Sequence, residues 1–178
     1  MDSQPVMTAD LDLYGVLERL APLASAYLEI GTKDGASLRT VLTANPDLSR
    51  VVCCDTWQRR TRTGKPATHA HIEALLAEMG WTGDREYLDG RSTELVPHLT
   101  ETFDLILIDG GHSFETARDD LEHCFALATR FMVVDDIHLR PPVWAAVRDF
   151  CVTKGSALSS TMLVTFSRNG QAILERRR

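Results

Sequence analysis

The chain predicts an α/β fold: a Rossmann-like doubly wound sheet, mostly parallel, with one antiparallel strand from a C-terminal hairpin. Three observations predict it. Short apolar runs of strand length alternate with stretches whose apolar residues recur at three- and four-residue spacing. Several of these runs end in an acid, as in Val51–Asp55, Phe103–Asp109 and Arg130–Asp135. The chain closes with two β-prone stretches about Asn169-Gly170, a strong hairpin signal. Alternating βα units with a terminal hairpin make a parallel sheet carrying one antiparallel strand. At 178 residues there is room for a single domain spanning 1–178.

Each element has its own warrant. Leu11–Leu20 carries Leu13, Val16, Leu17 and Leu20 on one face and reads as a short amphipathic helix. Tyr27–Ile30 is the first strand, and Leu38, Val41 and Leu42 mark the helix behind it. Val51–Asp55 is the second strand. Ile72, Leu75, Leu76 and Met79 mark a helix that stops at Gly80. A weak strand follows at Arg85–Leu88, then a short helix from Ser92 with Leu95 and Leu99. Phe103–Asp109 is a buried strand. Ser113 is the expected N-cap of a helix bearing Ala117, Leu121 and Phe125. Arg130–Asp135 is a further buried strand, and Pro142 fits the first turn of the next helix. The segment Thr56–Thr68 is an irregular polar insertion, basic through Arg59, Arg60, Arg62 and Lys65. It reads either as a solvated loop or as a lid over an anionic or polyhydroxyl substrate.

Composition narrows the function. The net charge of −6 argues against a general nucleic-acid surface. No apolar run is long enough to span a membrane, and the N-terminal residues lack a basic-then-apolar signal pattern. Cys53, Cys54, Cys124 and Cys151 form no C-x-x-C pair and read as small core residues. A reducing cytoplasm is the expected location.

The stretch LEIGTKDGAS, Leu28–Ser37, carries the most information. A strand meets a turn with Gly31 and Gly35, and a helix follows, as at the start of a nucleotide-binding unit. The second strand ends in Asp55, placed to accept the two hydroxyls of an adenosine ribose. A dinucleotide fingerprint needs G-x-G-x-x-G, whereas this turn is Glu-x-Gly-x-x-x-Gly. Glu29 and Asp34 would repel a pyrophosphate. They suit a cationic ligand such as the sulfonium and amino group of S-adenosylmethionine (SAM). The plain alternative is a strand-turn-helix using glycine for positive φ.

Asp109, Asp135 and Asp136 fall at strand ends, which share one edge of a parallel sheet. Converging carboxylates repel each other unless a cation joins them, and oxygen ligands favour Mg²⁺ or another hard divalent ion. The alternative is that Asp135 and Asp136 cap a turn while Asp109 serves the amino acid end of the cofactor. His138 and His112 follow the same strands, and a histidine near neutral pKa suits removal of a hydroxyl proton. His138, just past two expected ligands, is the favoured base and His112 the second. Either one also reads as a structural loop histidine.

LEIGTKDGAS resembles the first motif of the class I SAM-dependent methyltransferases. FDLILIDGGHSFETARDDL and MVVDDIHLRPPVWAAVRDF resemble successive segments of the bacterial macrocin-type and cephamycin-type O-methyltransferases. GRSTELVPHL resembles the adenine-side segment of catechol O-methyltransferases. The resemblance covers Tyr27 to Phe150. It implies a SAM-dependent O-methyltransferase with a divalent metal at Asp109, Asp135 and Asp136. It also implies cofactor contacts at Glu29, Gly31, Gly35, Asp55 and Ser92. Thr32 and Ser37 in the same turn, with Asp109, complete the expected cofactor set. Gly111 stands where the macrocin type has a proposed acidic base, and Asp136 where catechol-type enzymes have asparagine. The implied acceptor is a hydroxyl of a sugar or glycosylated small molecule, with Trp57 and Trp144 in segments expected near it. A catechol-like acceptor is the runner-up. The rivals from other classes are a non-catalytic SAM-binding module and a nicotinamide-dependent reductase. Beyond the small molecule, a second copy of the chain is the one macromolecular partner expected.

Overall fold

The structure, a computed structural model, describes residues 12–61, 64, 66–164 and 167–177. Seven strands form one sheet: β1 (Ala26–Ile30), β2 (Arg50–Asp55), β3 (Asp84–Asp89), β4 (Phe103–Ile108), β5 (Ala128–Val134), β6 (Leu158–Val164) and β7 (Gln171–Arg176). Their order is β3-β2-β1-β4-β5-β7-β6. The first five are parallel, with Leu28 level with both Val52 and Ile106, and Ile108 level with Val134. β7 runs antiparallel between β5 and β6. The predicted architecture is the observed one, hairpin included.

Among the described residues six α-helices flank the sheet: α1 (Leu13–Leu20), α2 (Ala36–Ala44), α3 (His69–Met79), α4 (Ser92–Leu95), α5 (Phe114–Leu127) and α6 (Pro141–Lys154). Their starts follow local chemistry. Asp12 Oδ1 accepts the Gly15 N–H at 3.0 Å, and Ser113 Oγ accepts that of Thr116 at 3.1 Å. Thr68 caps α3, and Gly80 ends it with φ of 67°. Leu11, expected to open the first helix, lies outside the described residues, and so do Arg62 and Lys65 of the polar insertion.

Strand alternation divides the core between the two faces. Tyr27, Val51, Cys53, Leu105 and Val133 pack under α1, α2 and α3. Leu28, Val52, Cys54, Ile106 and Val134 pack under α5 and α6. Cys53 and Cys54 thus lie on opposite sides, and all four cysteines are free thiols. Among the described residues no helix is long and apolar enough to cross a membrane.

The order puts β1 beside β4, so the chain leaves β1 in one direction across the sheet and β4 in the other. A crevice opens where the connections diverge. Gly31 sits at this point with φ of 90°, and a Cβ there would lie 2.0 Å from the Asp109 carbonyl oxygen. Gly31→Ala should therefore cost about 2–4 kcal/mol of stability, combining backbone strain with a clash against main chain. Urea unfolding of parent and variant measures this. A change under about 0.5 kcal/mol, the level of a neutral surface substitution, would contradict the close approach.

Candidate functional site

Backbone hydrogen bonds lace the carboxyl ends of four strands into a row. The Gly31 N–H donates to Cys54 O, the Asp109 N–H to Ile30 O and the Asp135 N–H to Ile108 O, at 2.8, 2.9 and 3.1 Å. Asp55, the glycine turn, Asp109 and Asp135 are fixed side by side because the parallel ladder fixes their main chain. The row forms the floor of a cleft of about 920 Å³.

On one side of the floor, Asp55 organises the glycine turn. Its Oδ2 accepts the Lys33 N–H at 2.7 Å and its Oδ1 accepts the Trp57 N–H at 2.8 Å. Lys33 and Trp57 both hold left-handed backbone, with φ of 51° and 55°. Each oxygen keeps acceptor capacity for a further donor. Gly31, Thr32, Ser37, Asp55 and Ser92 all line the cleft. Two other predicted contacts do not. Gly35 caps α2 and faces Ile72 and Leu75 of α3, so it serves helix packing. Glu29 is buried beneath the turn, where its Oε1 accepts the Tyr27 hydroxyl at 3.2 Å. Burial raises its pKa well above the usual carboxylate range, and its Oε2 has no partner among the described residues.

On the other side, Asp109, Asp135 and Asp136 share the cleft wall. Asp109 is pushed up to about 8, by burial first and then by Asp135 and Asp136. Asp136 adopts φ of 63°, a left-handed conformation that turns the chain sharply after β5. Asp135 is raised by burial, opposed by the Gln171 amide, which donates to its Oδ1 at 2.6 Å. Asn169 reaches its other oxygen at 3.4 Å.

The tightest cluster differs from the predicted trio. Ligand atoms of Asp109, His112 and Asp136 lie within 4.8 Å of one another. Asp135 stands outside this group, its oxygens engaged by Gln171 and Asn169. His112 Nε2 is 3.2 Å from Asp136 Oδ2 but off the line that a hydrogen bond needs, so it is buried without a partner. Burial lowers the His112 pKa, which favours the neutral imidazole. Two carboxylates beside an unpartnered imidazole are a donor set that could hold a divalent ion, the oxygens suiting a hard one.

His138, the favoured base in the sequence, lies away from the cluster. Its N–H donates to Asn169 O at 2.7 Å, and its exposed ring lies over Gly170, outside the cleft lining. The Asn-Gly turn folds back onto β5 and draws that histidine away. Neither expected tryptophan reaches the cleft. Trp57 packs against His69 and Tyr87 with ring centroids 4.8 and 6.2 Å away, and Trp144 packs on the α6 side of the core. Asn169, Gln171 and Arg140, which line the cleft, were not foreseen. Asp120 was also missed, although helical spacing puts it on the buried stripe with Ala117, Leu121 and Cys124. Burial pushes it up to about 6, opposed by the neighbouring Ser92 hydroxyl.

A methyltransferase-domain family model matches residues 28–137, which span the whole row from β1 to the turn after β5. The chain belongs to the methyltransferase-domain family. No curated protein matches the chain. Among solved structures, this methyltransferase domain is similar to the O-methyltransferase NovP, with a TM-score of 0.73 at 16% identity over 93% of this chain and 79% of that one. It is also similar to the O-methyltransferase TomG from Streptomyces achromogenes, solved in complex with SAM. There the TM-score is 0.69 at 21% identity, over 92% of this chain and 78% of that one. An O-methyltransferase from Bacillus cereus in complex with SAH gives 0.65 at 15%, over 97% and 84%. At these identities the shared feature is the fold.

The charge cluster has a measurable consequence. Asp109 holds its proton in the folded state up to about 8, against an ordinary value of 3.8. Folding then binds a proton that the unfolded chain has lost, so stability falls as pH rises from about 4 to about 8. In chelator, Asp109→Asn should lessen that fall, to which Glu29, Asp120 and Asp135 also contribute, and raise stability at pH 8.5 by about 2 kcal/mol or more. Adding Mg²⁺ to the parent at that pH should raise its urea midpoint. A parent with no pH slope and no response to Mg²⁺ would contradict the cluster.

Proposed function

We propose that this methyltransferase domain is a SAM-dependent O-methyltransferase that uses Mg²⁺ or another hard divalent ion and acts on a hydroxyl of a polar small molecule, of the saccharide or glycoside class. The observation that carries the reading is the row of strand ends, with Asp55 at one side and the Asp109–Asp136 cluster at the other in one cleft. The family match supports methyl transfer. The SAM and SAH in similar folds support the cofactor.

Asp55 would hold the ribose hydroxyls, with Thr32, Ser37 and Ser92 around the cofactor. Bound there, SAM would supply an electrophilic methyl group for the acceptor oxygen, whose proton must leave to a base. Asp109 and Asp136 would hold the divalent ion, which supplies Lewis acidity that lowers the pKa of a nearby hydroxyl. His112 Nε2, unpartnered and favoured neutral, would take the proton. The rigid floor supplies alignment, the main requirement of a methyl transfer.

A second reading of His112 has its own support: the 4.8 Å cluster makes it a candidate ligand instead of a base. The saccharide class is supported by a polar wall. Among the described lining residues Tyr14 is the one tyrosine, tryptophan or phenylalanine. A catechol-type acceptor would favour more aromatic surface.

Asp55→Ala should weaken SAH binding by about 1–3 kcal/mol in calorimetry, since two hydroxyls lose their acceptor. Unchanged affinity would remove Asp55 from the cofactor site. EDTA should abolish methyl transfer and excess Mg²⁺ restore it. A rate indifferent to both would refute the metal. For the proton, His112→Ala should lower kcat about 10²–10⁴-fold. The parent's rate should rise with pH through a group below the ordinary histidine value, and the variant's should not. Mn²⁺ titration separates the two roles: a base leaves metal affinity unchanged, and a ligand takes it away. A SAM-binding module without catalysis would bind SAH yet transfer nothing to any acceptor.

A further inference from the structure

The protein is acidic, yet Lys33, Arg59, Arg91, Arg140 and Arg168 line one cleft. Elsewhere several basic side chains are matched with acids. Arg39 pairs with Glu78, Arg85 with Glu73, Arg118 with Asp149 and Lys154 with Glu122, at 2.7–3.0 Å. Among the described residues no carboxylate pairs with Arg59, and Arg140 Nε approaches Asp136 only to 3.9 Å.

Lys33 and Arg59 both bear electrostatically on Asp109, and Arg59 and Arg140 are the pair that bears on His112. Arg59 leaves the loop after β2, and Arg140 stands at the N-terminus of α6, so this pair reaches the cleft from different sides. They therefore flank the acid cluster, where an acceptor hydroxyl would sit. Their main chain is held. The Ala67 N–H donates to Arg59 O at 3.1 Å, and the Arg140 N–H donates to Asp136 O at 2.9 Å. A fixed backbone carrying a guanidinium that is unpaired among the described residues, as in Arg59, or only loosely paired, as in Arg140, is a prepared anion contact, because the planar fork matches a carboxylate or phosphate with two parallel bonds.

We infer that the acceptor is an anion, a hydroxylated small molecule bearing a carboxylate or phosphate group that Arg59 and Arg140 clasp beside Asp109 and Asp136. This rests on the methyltransferase reading of the same cleft and narrows its substrate class. The acids alone would repel such a molecule, and the two guanidiniums together with the proposed divalent ion reverse the local sign. The anion would anchor the acceptor while leaving its hydroxyl free to face the cofactor. A neutral acceptor would leave both arginines unused.

The test compares matched pairs on protein saturated with SAH and Mg²⁺: glucuronate against methyl glucoside, glucose 6-phosphate against glucose, and 3,4-dihydroxybenzoate against catechol. Calorimetry reads binding, and SAH release with SAM reads turnover. In at least one pair the anionic member should bind about 10- to 100-fold more tightly, the range of charge-assisted hydrogen bonds. The pair that responds distinguishes carboxylate from phosphate. High salt should erode the preference. The double variant Arg59→Gln, Arg140→Gln should lose the preference, mainly through KM, while SAH affinity stays within about twofold, since exposed rim charges do not touch the ribose. Equal binding within every pair, no binding by any member, or loss of SAH affinity in the double variant would each overturn the inference. Anion binding of the expected kind without methyl transfer would leave it standing and count against the methyltransferase reading.

Discussion

The structure depends on the hydrogen bonds that hold β1 between β2 and β4 at their carboxyl ends. Gly31 donates across to β2, and Asp109 donates back to Ile30. Those contacts require Gly31 to have no side chain, since its Cα approaches the Asp109 carbonyl too closely for a Cβ. The same contacts put Asp55 and Asp109 on either side of one turn. The residues with chemistry are therefore not gathered by a flexible loop. They are placed by the ladder that also makes the core, so fold and site share one set of constraints.

That placement works against stability. The ladder forces Asp109, Asp135 and Asp136 together in a largely buried wall, and Asp109 answers by keeping its proton to about 8. Around it the protein supplies partial compensation: Gln171 and Asn169 donate to Asp135 from the β7 turn. His112 Nε2, in the same wall, is a buried polar atom without a hydrogen-bond partner among the described residues. Such groups are expensive in a folded chain unless a ligand meets them. Strain and charge concentrated on one edge fit a site awaiting cationic partners.

The fold was legible because its signals are local. Strand runs, the Asn-Gly turn and the N-caps each declare themselves within a few residues. The row of acids was also legible, since the end of a parallel strand is a known place in the fold. What the sequence hid was direction. Glu29 alternates to the buried face with Tyr27, so an acid two residues before the glycine lies beneath the turn instead of in the cleft. His138 and Trp57 turn away because the hairpin and α3 pack against them, contacts made by segments distant in the chain. Gln171 and Asn169 reach Asp135 by the same long-range return. Asp120 could have been found from helix spacing alone, as the one acid on an otherwise apolar stripe.

The central claim is that one row of strand ends holds a nucleoside at Asp55 and a divalent ion at the acid cluster. Crystals grown with SAH and Mn²⁺ test it most directly, because manganese scatters anomalously and the nucleoside is visible in the same map. The account predicts ribose hydroxyls on the Asp55 carboxylate and an anomalous peak about 2–2.3 Å from oxygens of Asp109 and Asp136. SAH bound away from Asp55, or a cleft with ordered SAH and no manganese at the acids, would contradict it.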